Sequence, residues 1–281
     1  MCCSTSKEEF KREKVFVKTG NFERFQSAIK AVEARGAPEA GWLLVAGDPA
    51  RGKSTIVDKW AAQTSAIYLR GKEQWTPSFF LAELAGQLKI DDSLRGKARF
   101  QAVITRIGAE QMPVVIDEVQ HAMRDNAAVL EVLRDITDLT ETIAVLVAGV
   151  DDVMRRLARP SLKQIASRIA QVVEFAPNDP EDTALVCHQL ADVEIAPDLV
   201  AEVHRQSRGL MRPICNAIAT IEAHAGRNKL PKVKLADLAG QELCHDWQSR
   251  RPAVGARGAR RAVMSNCAQC PAGTLTQRTS M

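Results

Sequence analysis

The chain lacks any long apolar run. Its longest, Trp42–Ala46 and Ile143–Ala148, fall far short of the roughly 20 residues that cross a bilayer, and no charged-then-apolar signal opens it. No membrane partner is expected, and a cytoplasmic location is the default. A disulfide framework is also missing. The seven cysteines, Cys2, Cys3, Cys187, Cys215, Cys244, Cys267 and Cys270, are odd in number and scattered, as in proteins whose thiols stay reduced. Cys267 and Cys270 have ligand-like spacing but no second pair or histidine partner nearby, so they are read as incidental. Nor is there a large net charge. The formal value is only +4, but six arginines and no acid lie between Trp247 and the end, which leaves the rest of the chain at −2. The tail is basic, and its Gly, Ala, Pro and Ser content reads as disorder suited either to phosphate backbones or to simple solubility.

What is present is a phosphate loop. Gly47-Asp48-Pro49-Ala50-Arg51-Gly52-Lys53-Ser54 is a complete G-x-x-x-x-G-K-[ST] motif. It follows the strand-like Trp42–Ala46 and precedes a run from Thr55 to Thr64 that has helix formers and neither Gly nor Pro. In that order, backbone N–H groups wrap the β- and γ-phosphates at a helix N-terminus, where unpaired donors and the helix dipole favour anions. Lys53 is expected on the β/γ-phosphates and Ser54 on Mg²⁺.

The second half of such a site belongs at the end of another buried strand. Met112-Pro113-Val114-Val115-Ile116-Asp117-Glu118 supplies it, with four apolar or β-branched residues in a row, as in a central parallel strand covered on both faces. Asp117 is expected to hold Mg²⁺, directly or through water. Glu118 is expected to polarise the water that attacks the γ-phosphate.

At 281 residues and 46% hydrophobic content, the chain can hold one α/β domain and a smaller companion. Residues 1–18 read as an arm or first strand, and 19–176 as a core. Further strands are expected at Ala66–Arg70, Ile143–Ala148 and Val172–Phe175. Helices are expected from Thr76-Pro77 to about Lys89, and over Lys97–Glu110, Asn126–Asp138, Asp151–Ala158 and Ser161–Ala170. That alternation predicts a parallel sheet wrapped on both faces. After Pro177-Asn178-Asp179-Pro180 the pattern turns all-helical, with stretches at about 181–191, 197–206, 211–225 and 234–247 and no convincing strand. Residues 177–247 therefore read as a small helical lid, and 248–281 as the basic tail.

The order of phosphate loop, Asp-Glu strand, further strand, arginine before a final strand and helical lid resembles the AAA+ ATPases over roughly residues 19–245. The resemblance implies an α/β AAA+ P-loop core with a parallel sheet flanked by helices, a small all-α lid, and ATP with Mg²⁺. ATP over GTP rests on it alone, since no guanine-reading Asn-Lys-x-Asp occurs. The loop from Gly47 through Thr55 then becomes the nucleotide-binding segment. Ala166-Ser167-Arg168-Ile169 looks like the clamp-loader-type Ser-Arg element, which makes Arg168 the candidate arginine finger acting on a neighbouring subunit, hence a homo-oligomer; a surface arginine on a helix is the alternative. Gly209-Leu210-Met211-Arg212-Pro213 with Asn216 is similar to a sensor-2 helix start, so Arg212 would contact the γ-phosphate unless it serves as a structural cap.

Among AAA+ proteins the chain looks most like the Mu B-type target-selection ATPases of transposition. The likeness rests on Gly47–Ser54, on Pro113–Ala122 with its Asp-Glu-x-x-His (Asp117 to His121), on Leu146–Gly149, on Ser167–Ile169 and on Gly209–Asn216. It implies sequence-tolerant binding of double-stranded DNA in the ATP state, a helical filament or ring, and stimulation of a transposase. Three features depart from the pattern. Ala50 stands where glycine is usual, Val150 where a polar sensor-1 residue is usual, and only about 18 residues precede the core, so no N-terminal DNA-binding domain is expected. DNA contact is then expected from the tail or from Arg70, Lys72, Lys89, Arg95, Lys97, Arg99 and Arg106, for which a solvated helix face is the alternative.

Overall fold

Five short runs of apolar and β-branched residues pair side by side in one direction. The computed structural model describes residues 15–149 and 152–244. Its core alternates β1 (Trp42–Ala46), β2 (Ile67–Arg70), β3 (Val114–Asp117), β4 (Ala144–Val147) and β5 (Ile169–Glu174) with helices. These are α1 (Gly20–Glu33), α2 (Lys53–Thr64), α3 (Pro77–Gln87), α4 (Gly96–Glu110), α5 (Ala128–Thr140), α6 (Asp152–Leu157) and α7 (Lys163–Ala166). The strands form a parallel sheet in the order β2-β3-β4-β1-β5, with Leu44 opposite Leu146 and Val172.

Side chains alternate across each strand, and the core divides accordingly. Trp42, Leu44, Val114, Ile116 and Leu146 pack with Phe80, Leu84, Val103, Ile107, Leu130 and Leu133 from α3, α4 and α5. Leu43, Val45, Val115, Val145 and Val147 face the other way, against Phe25, Ile29 and Val32 of α1 and Ile56, Val57 and Trp60 of α2. All four residues of both β3 and β4 are buried, as helices on both faces require.

Thr76 caps α3 as its sequence predicts, accepting a 3.2 Å hydrogen bond from the Phe79 amide ahead of Pro77 at the first helical position. Helix α1 was not anticipated. Its Phe22, Phe25, Ile29 and Val32 are spaced three and four apart and all face the core. The last core strand begins earlier than its pattern suggests, at Ile169 rather than Val172. Pairing of Ile169 and Gln171 with Trp42 and Leu43 draws these residues out of the expected helix, which ends at Ala166.

Beyond Pro177, α8 (Pro180–Leu190), α9 (Pro197–Ser207) and α10 (Met211–Asn228) enclose a third cluster built on Val186, Leu199, Val203, Ile214, Ile218 and Ile221. Two details differ from expectation. A short parallel pair, β6 (Glu194–Ile195) and β7 (Lys232–Val233), ties α8 and α9 to the segment after α10. Within its described part, to Cys244, the fourth helical stretch holds a single 3-10 turn, Leu235–Leu238, followed by Gly240 at φ +78°. The N-terminal segment joins in, with Val17 in this third cluster and the Gly20 amide donating to the Asp182 carboxylate at 3.0 Å. Val150, Asp151, the basic tail and the 267/270 cysteine pair lie outside the described residues.

Candidate functional site

Strand β1 delivers the phosphate loop, and the loop's shape depends on two backbone conformations. Gly47 sits at φ +139°, and a Cβ there would lie 2.8 Å from the Phe175 carbonyl oxygen, so only glycine fits. Gly52 sits at φ +83° and opens α2 at Lys53. The Arg51 guanidinium fixes the loop further, donating to the Phe175 carbonyl at 2.6 Å and pairing with Asp48. Asn21, from α1, bonds the Ala176 carbonyl at 2.8 Å and accepts from the Ala176 amide at 3.1 Å, with a weaker 3.4 Å bond to the Arg51 carbonyl.

Lys53 is buried, and its ammonium donates to the carbonyls of Gly47 and Asp48 at 2.6 and 2.7 Å. Burial lowers its pKa, with a smaller contribution from Arg51, while Glu118, Asp117 and Asp48 oppose the shift. A triphosphate would supply the anionic charge that this ammonium lacks.

A cavity of about 440 Å³ lies over the loop, lined by Pro49 through Thr55, by Asp117, Glu118, Gln120 and Gly149, and by Met211, Arg212 and Cys215. The loop, the end of β3 and the start of α10 therefore meet at one place. Asp117 accepts a 2.8 Å bond from the Tyr68 hydroxyl at Oδ2 and a 2.9 Å bond from the Glu118 amide at Oδ1. Burial and that carboxylate push the Tyr68 phenol up, and its hydroxyl also interacts with Ser54. The Ser54 hydroxyl and the Asp117 carboxylate form an all-oxygen set on the cavity wall, which suits Mg²⁺. Glu118 has φ +55°. Its Oε2 accepts from Gln120 Nε2, and its Oε1 lies 3.7 Å from Arg70.

The first residue of α10 donates its amide to the loop, Met211 to the Ala50 carbonyl, at 2.8 Å. Just before it, Gly209 at φ +72° packs so closely that a Cβ would lie 2.1 Å from the Asn178 carbonyl. Arg212, the next residue along α10, is exposed on the cavity wall.

Arg168 lies elsewhere. Its carbonyl accepts from the Trp42 amide at 2.9 Å, at the entry end of β1, about 16 Å of strand from the loop. Its guanidinium makes two bonds to Asp138, at 2.9 and 2.7 Å, and these raise its pKa. It is therefore no part of its own chain's cavity.

The expected basic cluster is largely engaged within the chain. Arg99 is buried, Arg106 pairs with Glu110 at 2.9 Å, Lys72 with Glu83, and Arg95 bonds the carbonyls of Asp92 and Leu94. Lys89 and Lys97 remain exposed.

Sequence reasoning missed Tyr68, Gln120, Asn21 and Cys215, which act through tertiary proximity rather than any motif spacing. A larger, mostly apolar hollow of about 780 Å³ between α8, β6 and α9 contains none of the expected site residues. Among the described residues no helix is long and apolar enough to cross a membrane.

A strand, a glycine-bent phosphate loop and an acidic strand end meet around one cavity of an α/β fold whose five-stranded parallel sheet, flanked by helices, matches an AAA+ P-loop core. Residues 37–157 match the family model described as AAA domain. No curated protein matches the chain. Among solved structures, the fold is similar to the Aeropyrum pernix ORC2 protein in its ADPNP–ADP complexes, at 13% identity and TM-score 0.64, over 80% of this chain and 68% of that one. It is also similar to the Thermotoga maritima RuvB Holliday junction branch migration motor, at 20% identity and TM-score 0.55, over 79% and 67%. The Aeropyrum pernix ORC1 protein in complex with DNA matches at 15% identity and TM-score 0.55, over 79% of this chain. The chain spans 64% of the length of that protein.

Proposed function

We propose that this chain is an ATP-switched, sequence-tolerant DNA-binding ATPase of the Mu B type, which holds double-stranded target DNA in its ATP state and presents it to a transposase. The observation that carries the nucleotide part is the single cavity shared by the phosphate loop, Asp117, Glu118 and Arg212. The DNA part draws support from a fold like that of ORC1 in complex with DNA, and the transposase part from the sequence likeness.

In this reading the loop amides and Lys53 bind the β- and γ-phosphates, and Arg212 reports the γ-phosphate to the lid. Ser54 and Asp117 hold Mg²⁺, which when bound neutralises charge on the phosphate oxygens. Glu118 takes a proton from water as the water oxygen bonds to the γ-phosphorus. The bond from that phosphorus to the bridging oxygen breaks, and ADP leaves with the electron pair. Arg168 reaches a neighbouring subunit in a filament or ring. DNA is held by phosphate contacts, which carry no base information and weaken with salt.

The test is retention of duplex DNA at low salt with Mg·ATP, followed by release on hydrolysis. Glu118→Gln should keep both ATP and DNA. Wild-type protein that fails to retain DNA under those conditions overturns the proposal. Stimulation of a helicase, and not of a transposase, would replace the transposition role with that of a loader.

A further inference from the structure

Gln120 has no place in the chemistry above, yet it lies in the cavity wall beside Glu118. It belongs to the 3-10 turn Val119–Met123, which the His121 amide closes on the Glu118 carbonyl at 3.1 Å. Its two amide atoms have different surroundings. Nε2 donates to Glu118 Oε2. Oε1 is sealed from solvent and receives no hydrogen bond from any of the described residues. Gly149, at the end of β4, packs against the pair, and a Cβ there would lie 3.5 Å from Glu118 Oε2 and 3.9 Å from Gln120 Nε2.

A buried acceptor without a donor costs about 1–3 kcal/mol, and native proteins rarely keep one unless a ligand or water completes it. The chemistry of the site narrows the missing donor. Triphosphate oxygens are acceptors at neutral pH and repel a carbonyl oxygen. Arg51 commits its two terminal nitrogens to the Phe175 carbonyl and Asp48, and its Nε is sealed from solvent without a partner, while Lys53 bonds the carbonyls of Gly47 and Asp48. A water molecule can donate twice, once to each of two acceptors.

We propose that Gln120 positions the attacking water: its Nε2 anchors the Glu118 carboxylate, and its Oε1, sealed in this arrangement, is uncovered when the cavity takes up the triphosphate and accepts one hydrogen of the water whose other hydrogen points at Glu118. One amide then sets the spacing between both acceptors, which aims a water lone pair at the γ-phosphorus. This rests on the hydrolytic reading of the site and adds to it the group that orients the nucleophile.

The test compares Gln120→Met, which keeps the shape but removes both polar atoms, with wild type in the full-length chain. Turnover should fall about 10²-fold, the loss typical of one preorganised polar contact in a transition state, while ATP affinity stays within about 3-fold of wild type. Affinity for ADP with aluminium fluoride, a mimic of the transition state that includes the in-line water, should fall in step with turnover. Gln120→Asn, with the amide drawn back by one methylene, should show the same split and serves if the methionine variant misfolds. Equal losses in ATP and ADP–aluminium fluoride binding, a loss confined to Mg²⁺ dependence, or unchanged turnover would each overturn the role of Gln120. Those outcomes leave the nucleotide reading standing, because that reading fails only if wild-type protein takes up no Mg·ATP.

Discussion

The Ala50 carbonyl, in the phosphate loop, accepts a 2.8 Å hydrogen bond from the amide of Met211, the first residue of α10. First-turn amides have no partner within their own helix, and this one is satisfied by the loop. Any shift of the loop around a bound triphosphate would be passed through this bond to the helix that carries Arg212 and Cys215. Met211→Pro removes this donor, together with a side chain that lines the cavity and packs on the third cluster. Proline suits the first helical position, and Leu210 before it is already extended at φ −81° and ψ 126°. We expect unchanged helix content by circular dichroism, a loss of about 1 kcal/mol in the free protein, and a smaller thermal upshift with Mg·ATP. An upshift equal to that of wild type would show that the bond transmits nothing.

Ala50 itself is held at φ +66°, the left-handed region where a side chain costs about 1–2 kcal/mol. Glycine removes that cost and gives back about 0.5–1 kcal/mol in backbone freedom. Ala50→Gly should therefore stabilise the chain by about 0.5–1 kcal/mol, seen as a melting temperature about 2 °C higher. A lower melting temperature would mean that the alanine methyl makes contacts worth more than its strain.

Cys215 is exposed on the wall of the cavity over the phosphate loop, whereas Cys187 and Cys244 are buried. Burial pushes both of those thiols up to about 11 and raises the Cys215 thiol as well, so the lead of Cys215 rests on its exposure. Maleimide at about pH 8 should modify Cys215 well ahead of the other two, and Mg·ATP should protect it. Labelling of Cys187 and Cys244 should rise only as the pH climbs towards 11. Peptide mapping by mass spectrometry reads all three sites. Labelling of Cys215 that ignores a saturating nucleotide would place the ligand elsewhere.

Local chemistry made the central features legible. The loop from Gly47 to Ser54 and the carboxylates after Val114–Ile116 are contiguous motifs, and the structure brings both to one cavity. Thr76-Pro77 announced α3 for the same reason. What escaped depends on partners distant in sequence. The start of β5 is set by pairing with Trp42, and β6 and β7, 38 residues apart at Glu194 and Lys232, exist only because they find each other. Tyr68 and Gln120 belong to no spacing rule, and their importance appears only when Asp117 and Glu118 are found beside them. Arg99 shows the opposite error. A charge that reads as surface is buried on the inner side of α4.

Tyr68, the only tyrosine in the chain, donates to Asp117 Oδ2 at 2.8 Å. Partners of this kind orient a metal-holding carboxylate, and their loss typically weakens metal affinity by 10-fold or more. Tyr68→Phe keeps the ring packing and removes only the hydroxyl. The Mg²⁺ concentration that half-saturates ATP binding should rise about 10-fold, while affinity for ATP without metal changes little. Calorimetric titration of Mg²⁺ into protein with ATP measures both. Equal Mg²⁺ requirements for variant and wild type would detach Tyr68 from the metal site.

Arg168 is too far from its own cavity to act there, and Asp138 holds its guanidinium by two bonds at the opposite end of β1. A role in catalysis therefore requires a second copy of the chain. Arg168→Ala should keep ATP affinity and lose about 10³-fold in turnover. Glu118→Gln should also be inactive, for want of the group that takes the proton from water, yet it carries an intact Arg168. Mixing the two variants pairs a working glutamate on one subunit with a working arginine on its neighbour, so turnover should reappear as the second protein is titrated in. Asp138→Asn should loosen the arginine without removing it and leave a milder defect. Two variants that co-assemble and bind ATP but never complement each other would confine Arg168 to its ion pair with Asp138.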